Sequence, residues 1–216
     1  MTGTATDSLV DYRLKRTFEE AAGPADYVAR VSRRMIELLE ALDAQAVARV
    51  ADALEEAGEA GNTIFVVGNG GSAAVASHFV NDLGVNSLVD GKKGFRVYSL
   101  TDNMSSLTAV ANDLSYDDVF ARQLQCNLQA GDVLIAMSVS GNSENIIRAV
   151  EYANEAGGFT IGFTGFDGGR LARSARHCVH LPTTKDEYGP VEDMFSIVCH
   201  LLSSFVSMRR GRFLHH

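Results

Sequence analysis

Apolar residues recur at three- and four-residue steps through the first quarter of the chain. Val28, Val31, Ile36, Leu38, Leu39, Leu42, Val47, Val50 and Leu54 follow that period, which predicts amphipathic helix. A break near Asp43 divides the stretch into two helices, and Gly58 to Gly61 end the second. Residues 1–23 add either a shorter helix around Leu9 to Phe18 or a loosely held arm. Beyond Gly61 the pattern becomes short apolar runs, each followed by a glycine- or serine-rich turn and then a helical segment. The runs are TIFVVG (63–68), FRVYSL (95–100), DVLIAMS (132–138), FTIGFTG (159–165) and CVHLP (178–182). Continuous rather than alternating hydrophobicity implies strands covered on both faces. Regular strand–helix alternation predicts a doubly wound α/β sandwich, closed by a long helix from about Val191 to Arg210. The simplest division is a helical extension over 1–60 and an α/β unit over 61–216. The extension either buries its apolar stripe against a second subunit or covers one face of its own sheet.

Composition narrows the function classes. With 216 residues, 46% hydrophobic and 21% charged, the chain is long enough for one well-filled core. Its 27 acidic against 19 basic residues give a net charge of −8, which disfavours nucleic acid as a partner. Three cysteines without a CxxC pair predict neither a disulfide framework nor a zinc knuckle. The expected setting is therefore a reducing cytoplasm. No signal-like segment opens the chain, and no run approaches the roughly 20 apolar residues of a membrane span. Cys126 and Cys199 are expected in the core, with His177 and His180 facing solvent.

Two turns carry chemistry. GNGGS (68–72) combines three glycines, which let the backbone turn with its N–H groups exposed, with the side chains of Asn69 and Ser72. It has neither the Walker A ending nor the dinucleotide glycine spacing. SVSGNS (138–143) places Ser138, Ser140 and Ser143 around a second glycine turn at a helix start. Hydroxyls, amides and helix N-termini bind an anion without formal positive charge, so an acidic protein can hold a phosphate there. The alternative for the serines is a simple N-cap cluster.

Two further segments supply titratable groups. His78 and Asp82 stand four apart on the helix leaving GNGGS, on one face, and Glu192 and His200 stand eight apart on the closing helix. Two histidines and two carboxylates suit a zinc ion, and they equally suit a metal-free acid–base pair. Glu192 alone is also explained as a first-turn carboxylate, and His200 as a core histidine. Asp102 and Asp113 lie near the expected strand ends as candidates for sugar hydroxyls, Asp113 alternatively as a cap of the next helix.

GNGGS and SxSGNS, with TDNMSSLTAVANDLSYDDVF (101–120) between them and FTGFDGGRLA (163–172) after them, resemble the sugar-isomerase (SIS) domain family, and within it the phosphoheptose isomerases. The resemblance spans about Ala25 to Met208. It implies a flavodoxin-like sheet, a homotetramer with active sites shared between subunits, and conversion of D-sedoheptulose 7-phosphate to an aldoheptose phosphate through an enediol. It also implies zinc, one per subunit, held by His78, Asp82, Glu192 and His200, with Asp82 as general base and His200 as general acid. Ser138, Ser140 and Ser143 then hold the phosphate, and Asn69, Gly70, Gly71, Ser72, Asp102, Asp113 and Glu192 line the sugar. Two departures stand out. Asp82 is one methylene shorter than the family's glutamate, and Gly189 and Pro190 replace an aspartate–arginine pair. The competing readings are a non-catalytic relative, either binding a phosphosugar or serving as adaptor for a replication initiator, and a ligand-sensing module attached to a DNA-binding domain.

Overall fold

The computed structural model describes residues 12–212, so the part of the expected first helix before Tyr12 lies outside the described residues. Three helices come first, α1 (Arg13–Glu20), α2 (Pro24–Glu40) and α3 (Ala44–Ala60). Pro24 sits at the first position of α2, where its missing N–H has no partner to lose. Asp43 ends the α2–α3 connection as the N-cap of α3, its carboxylate accepting from the N–H groups of Gln45 and Ala46. Gly61, at φ 75°, terminates α3 in the left-handed conformation that glycine adopts without penalty.

Each expected apolar run is a strand: β1 (Thr63–Val67), β2 (Arg96–Ser99), β3 (Val133–Ser138), β4 (Phe159–Thr164) and β5 (His177–His180). They form one five-stranded sheet in the order β2-β1-β3-β4-β5, and every pairing is parallel. This is the flavodoxin-like order, whose direction of winding reverses between β1 and β3. The helices between and after the strands are α4 (Gly70–Gly84), α5 (Met104–Asp113), α6 (Val119–Asn127), α7 (Glu144–Glu155), α8 (Leu171–Ser174) and α9 (Tyr188–Arg209).

Alternate strand residues feed two separate cores. Ile64, Val66, Val133, Ile135 and Met137 pack with α3, α4 and α9, whereas Phe65, Val67, Leu134 and Ala136 pack with α6, α7 and Leu171 of α8. Val50 and Leu54 of α3 are fully buried in the first core, so α3 is a layer of the sandwich itself. By contrast α2 leaves Val28, Ile36 and Leu39 exposed.

Four expectations need correction. β2 is an edge strand and alternates exposed and buried residues, because only β1 flanks it. His177 and His180 do not face solvent freely: their Nε2 atoms lie 2.8 Å from the Ala46 carbonyl and 3.2 Å from the Phe166 carbonyl. Cys126 is exposed, since it falls on the outer face of α6, while Cys199 is buried as expected. Finally, α9 is long and apolar enough to cross a membrane by composition, with a mean hydropathy of 1.3 over its most apolar window. Half of that window is buried, because α9 packs against α2, α3 and α4 and must be apolar on more than one side. It is the central helix of one layer.

Candidate functional site

The two glycine turns flank the β1/β3 reversal, the edge at which open α/β sheets receive ligands. After β1, Gly70 takes φ 54° and opens α4, with Asn69 at the N-cap. Asn69 does not cap the helix. Its carboxamide pairs with that of Asn145 in the first turn of α7 through two hydrogen bonds of 2.9 Å, and the Tyr116 hydroxyl donates to Asn69 Oδ1 at 2.9 Å. Gly71 lies directly under Glu192: a Cβ there would run into the carboxylate. Ser72, buried beside it, donates to Glu192 Oε1 at 3.3 Å.

After β3, Ser143 occupies the N-cap of α7 without making a side-chain capping bond. Its hydroxyl lies 3.3 Å from that of buried Ser138, and Ser140 Oγ accepts from the Asn142 N–H at 3.3 Å. The turn is braced from behind by FDGGR: Leu171 N–H donates to the Gly141 carbonyl at 2.9 Å, and Arg170 N–H to Asn142 Oδ1 at 3.1 Å. Gly141 (φ 64°) and Gly169 (φ 55°) meet backbone against backbone, where no Cβ fits. Nearby cations are already engaged. Arg148 and Arg170 both pair with Glu144, and Arg148 also with Asp118 at 2.8 Å.

His78 and Asp82 project from α4 and His200 from α9 into one cluster. Asp82 Oδ2 lies 3.3 Å from His78 Nε2 and 3.5 Å from His200 Nε2, and the two Nε2 atoms are 3.4 Å apart. One donor atom from each of the three falls within 4.8 Å of the others, close enough for a single metal ion. The imidazoles are about half exposed, at 55% and 52%, whereas the carboxylate is 13% exposed. His200 is thus not a core histidine. Asn86 Nδ2 donates to Asp82 Oδ1 at 3.0 Å, which turns Oδ2 toward the imidazoles. Beneath them Cys199 is fully enclosed, and burial, reinforced by the Asp82 charge, pushes its thiol pKa far up. The cluster opens on a cleft of about 670 Å³ between α4 and α9, lined also by Asn81, Ile197, Leu201 and Ser207.

Not every expected residue joins this group. Glu192 sits two turns before His200, about 12 Å along the axis at 1.5 Å per residue, and its carboxylate is engaged with Ser72 rather than with the imidazoles. Asp102 follows β2 and accepts from the hydroxyls of Ser77 and Thr101, beside α4. Asp113 is exposed at the end of α5 and caps nothing downstream; Ser115 does that, accepting from Asp117 N–H at 3.0 Å. Asn145, Tyr116 and Asn86 are contacts that sequence reasoning missed. Of the three, Asn86 alone is near its partner in sequence, four residues after Asp82 and just past the end of α4.

A doubly wound sheet with two anion-type corners at its reversal, and a His–Asp–His cluster behind one of them, defines an α/β protein built to bind and act on a small anionic ligand. Residues 26–165 match the SIS domain, and the chain belongs to that family. It is 38% identical over 165 residues to a probable phosphoheptose isomerase of Thermoplasma acidophilum, covering 76% of this chain and 89% of that protein. It is 39% identical over 163 residues to the phosphoheptose isomerase of Rhodospirillum rubrum, covering 76% and 85%. Among solved structures, the phosphoheptose isomerase from Neisseria gonorrhoeae superposes with a TM-score of 0.78 at 28% identity, over 85% of this chain and 98% of that one.

Proposed function

We infer that this chain is a phosphoheptose isomerase, an aldose–ketose isomerase that converts D-sedoheptulose 7-phosphate to D-glycero-D-manno-heptose 7-phosphate. The His78–Asp82–His200 cluster carries the reading, because it supplies a base and an acid within 3.5 Å of each other at an open cleft. A non-catalytic adaptor has no use for that arrangement. The serine turn with the α7 N-terminus holds the phosphate through Ser138, Ser140 and Ser143. Asn69, Gly70, Gly71, Ser72, Asp102, Asp113 and Glu192 are assigned to the sugar.

Asp82 Oδ2 removes a proton from C1 of the ketose while a proton from His200 Nε2 goes to O2, which leaves a neutral enediol. The same proton then returns to C2, and O1 gives its own proton to His200 as the C1 carbonyl forms. Net protonation of both side chains is restored. Two imidazole nitrogens and a carboxylate oxygen fit zinc in donor type and spacing. When bound through those atoms, zinc would polarise the substrate carbonyl in place of the His200 proton, since a nitrogen that ligates the ion has no proton to give. Glu192 becomes a fourth ligand only by leaving Ser72.

A homotetramer with shared sites accounts for two further observations. The half-exposed histidines and the serine turn do not line the same cleft of one subunit. Leu201 and Ser204 line both that cleft and an apolar groove of about 380 Å³ between α3 and α9, so a subunit docked on the groove borders the histidines. A cytoplasmic setting fits three unpaired cysteines. The test is incubation with sedoheptulose 7-phosphate, with and without zinc, followed by NMR. An aldoheptose phosphate is expected, and loss of at least a hundredfold in rate in His200→Ala. Absence of turnover under both conditions sinks the reading.

A further inference from the structure

Asn69 and Asn145 open different helices, yet they share a closed pair of hydrogen bonds. Asn69 Nδ2 donates to Asn145 Oδ1, and Asn145 Nδ2 donates back to Asn69 Oδ1, both at 2.9 Å. Tyr116 adds a second donor to Asn69 Oδ1, also at 2.9 Å. A carboxamide offers two N–H donors and an oxygen that accepts two bonds. The Asn69 oxygen therefore has both acceptor positions filled, while one of its N–H donors remains for a ligand. Turning the Asn69 amide over by itself would set its NH2 against the Asn145 NH2 and bring the two carboxamide oxygens face to face. Asn145 is 2% exposed and Asn69 only partly buried, so the fixed partner is Asn145 and the presented group is Asn69.

We propose that Asn145 is a positioning residue that locks Asn69 with an N–H directed at the bound sugar. This rests on the reading of the site as a phosphosugar isomerase. In this arrangement the free hydrogen-bonding group of Asn69 is an N–H, so its partner is an acceptor oxygen of the substrate, the carbonyl or the enediol oxygen that replaces it. The pair also ties the turn assigned to the phosphate to the turn assigned to the sugar, so the two are held in one geometry.

The test uses Asn145→Ala, Asn69→Ala and the double variant, in the full chain. In the ligand-free protein, Asn145→Ala is expected to move the Asn69 side-chain amide signals in a 15N NMR spectrum and to speed their exchange with water. With sedoheptulose 7-phosphate it is expected to lower kcat/KM about tenfold, with kcat bearing most of the loss. In the Asn69→Ala background the same substitution should cost nothing more. An unmoved Asn69 signal, or a loss that persists in full without the Asn69 side chain, overturns the proposal. Tyr116→Phe alters an exposed side chain, so folding is not at stake. It should cost about threefold by the same route, again only while Asn69 is present, and it decides the matter if Asn145→Ala does not fold. Should the wild type fail to isomerise the sugar, the isomerase reading falls while the amide spectrum still decides the role of Asn145.

Discussion

Asp82 is shorter than the glutamate expected at its position, but its carboxylate is held in place by its neighbours. Asn86 fixes one carboxylate oxygen, and the other stands within 3.5 Å of both imidazoles. Asp82→Asn keeps the shape and removes the base, and is expected to lower kcat about a thousandfold with little change in Tm. Glycine positions separate two kinds of damage. At Gly71 an added methyl meets the end of the Glu192 side chain, which can swing aside; at Gly141 it meets backbone, and φ is 64°. Gly71→Ala should therefore fold normally and lose about tenfold in kcat/KM. Gly141→Ala should cost roughly 1–3 kcal/mol from backbone strain alone, read as a lowered midpoint in urea.

At the scale of elements, α9 is positioned from its start. Glu187, 1% exposed, receives Arg34 of α2 at 2.6 Å and the Thr184 N–H at 2.8 Å. Burial works to raise the Glu187 pKa, but the Arg34 guanidinium and the Thr184 donors outweigh it and hold the carboxyl below its usual value. A depressed carboxyl stabilises the fold at pH above its unfolded value, about 4.3, and that contribution disappears as pH falls through the folded value. Glu187→Gln is expected to lower stability at pH 7 by about 3 kcal/mol and to flatten the acid limb of a Tm-against-pH curve. These elements were unevenly legible in the sequence. Buried strands such as TIFVV and VLIAMS declare themselves as apolar runs, but β2 shows its edge position only in the alternation of Arg96, Val97, Tyr98 and Ser99. His78 and Asp82 were readable because one helix carries both. The Asn69–Asn145 pair was not, since 76 residues separate its halves and no local pattern requires them to meet.

Across the whole molecule, an acidic chain carries the turn proposed to hold the phosphate, built from hydroxyls and amides, and its outer faces are not uniformly polar. Leu201, Phe205 and Met208 are each about half exposed on α9, beside the groove formed with α3. If that groove is where subunits meet, Phe205→Glu should yield a smaller species by light scattering with an unchanged circular dichroism spectrum. α9 is apolar inward because it fills a core and apolar outward along this strip, which is why its composition resembles a membrane span. Association through such a strip is governed by mass action. If subunits meet there and share active sites as proposed, specific activity should fall on dilution and recover on concentration, and the catalyst present in a sample would depend on how much of the chain surrounds it.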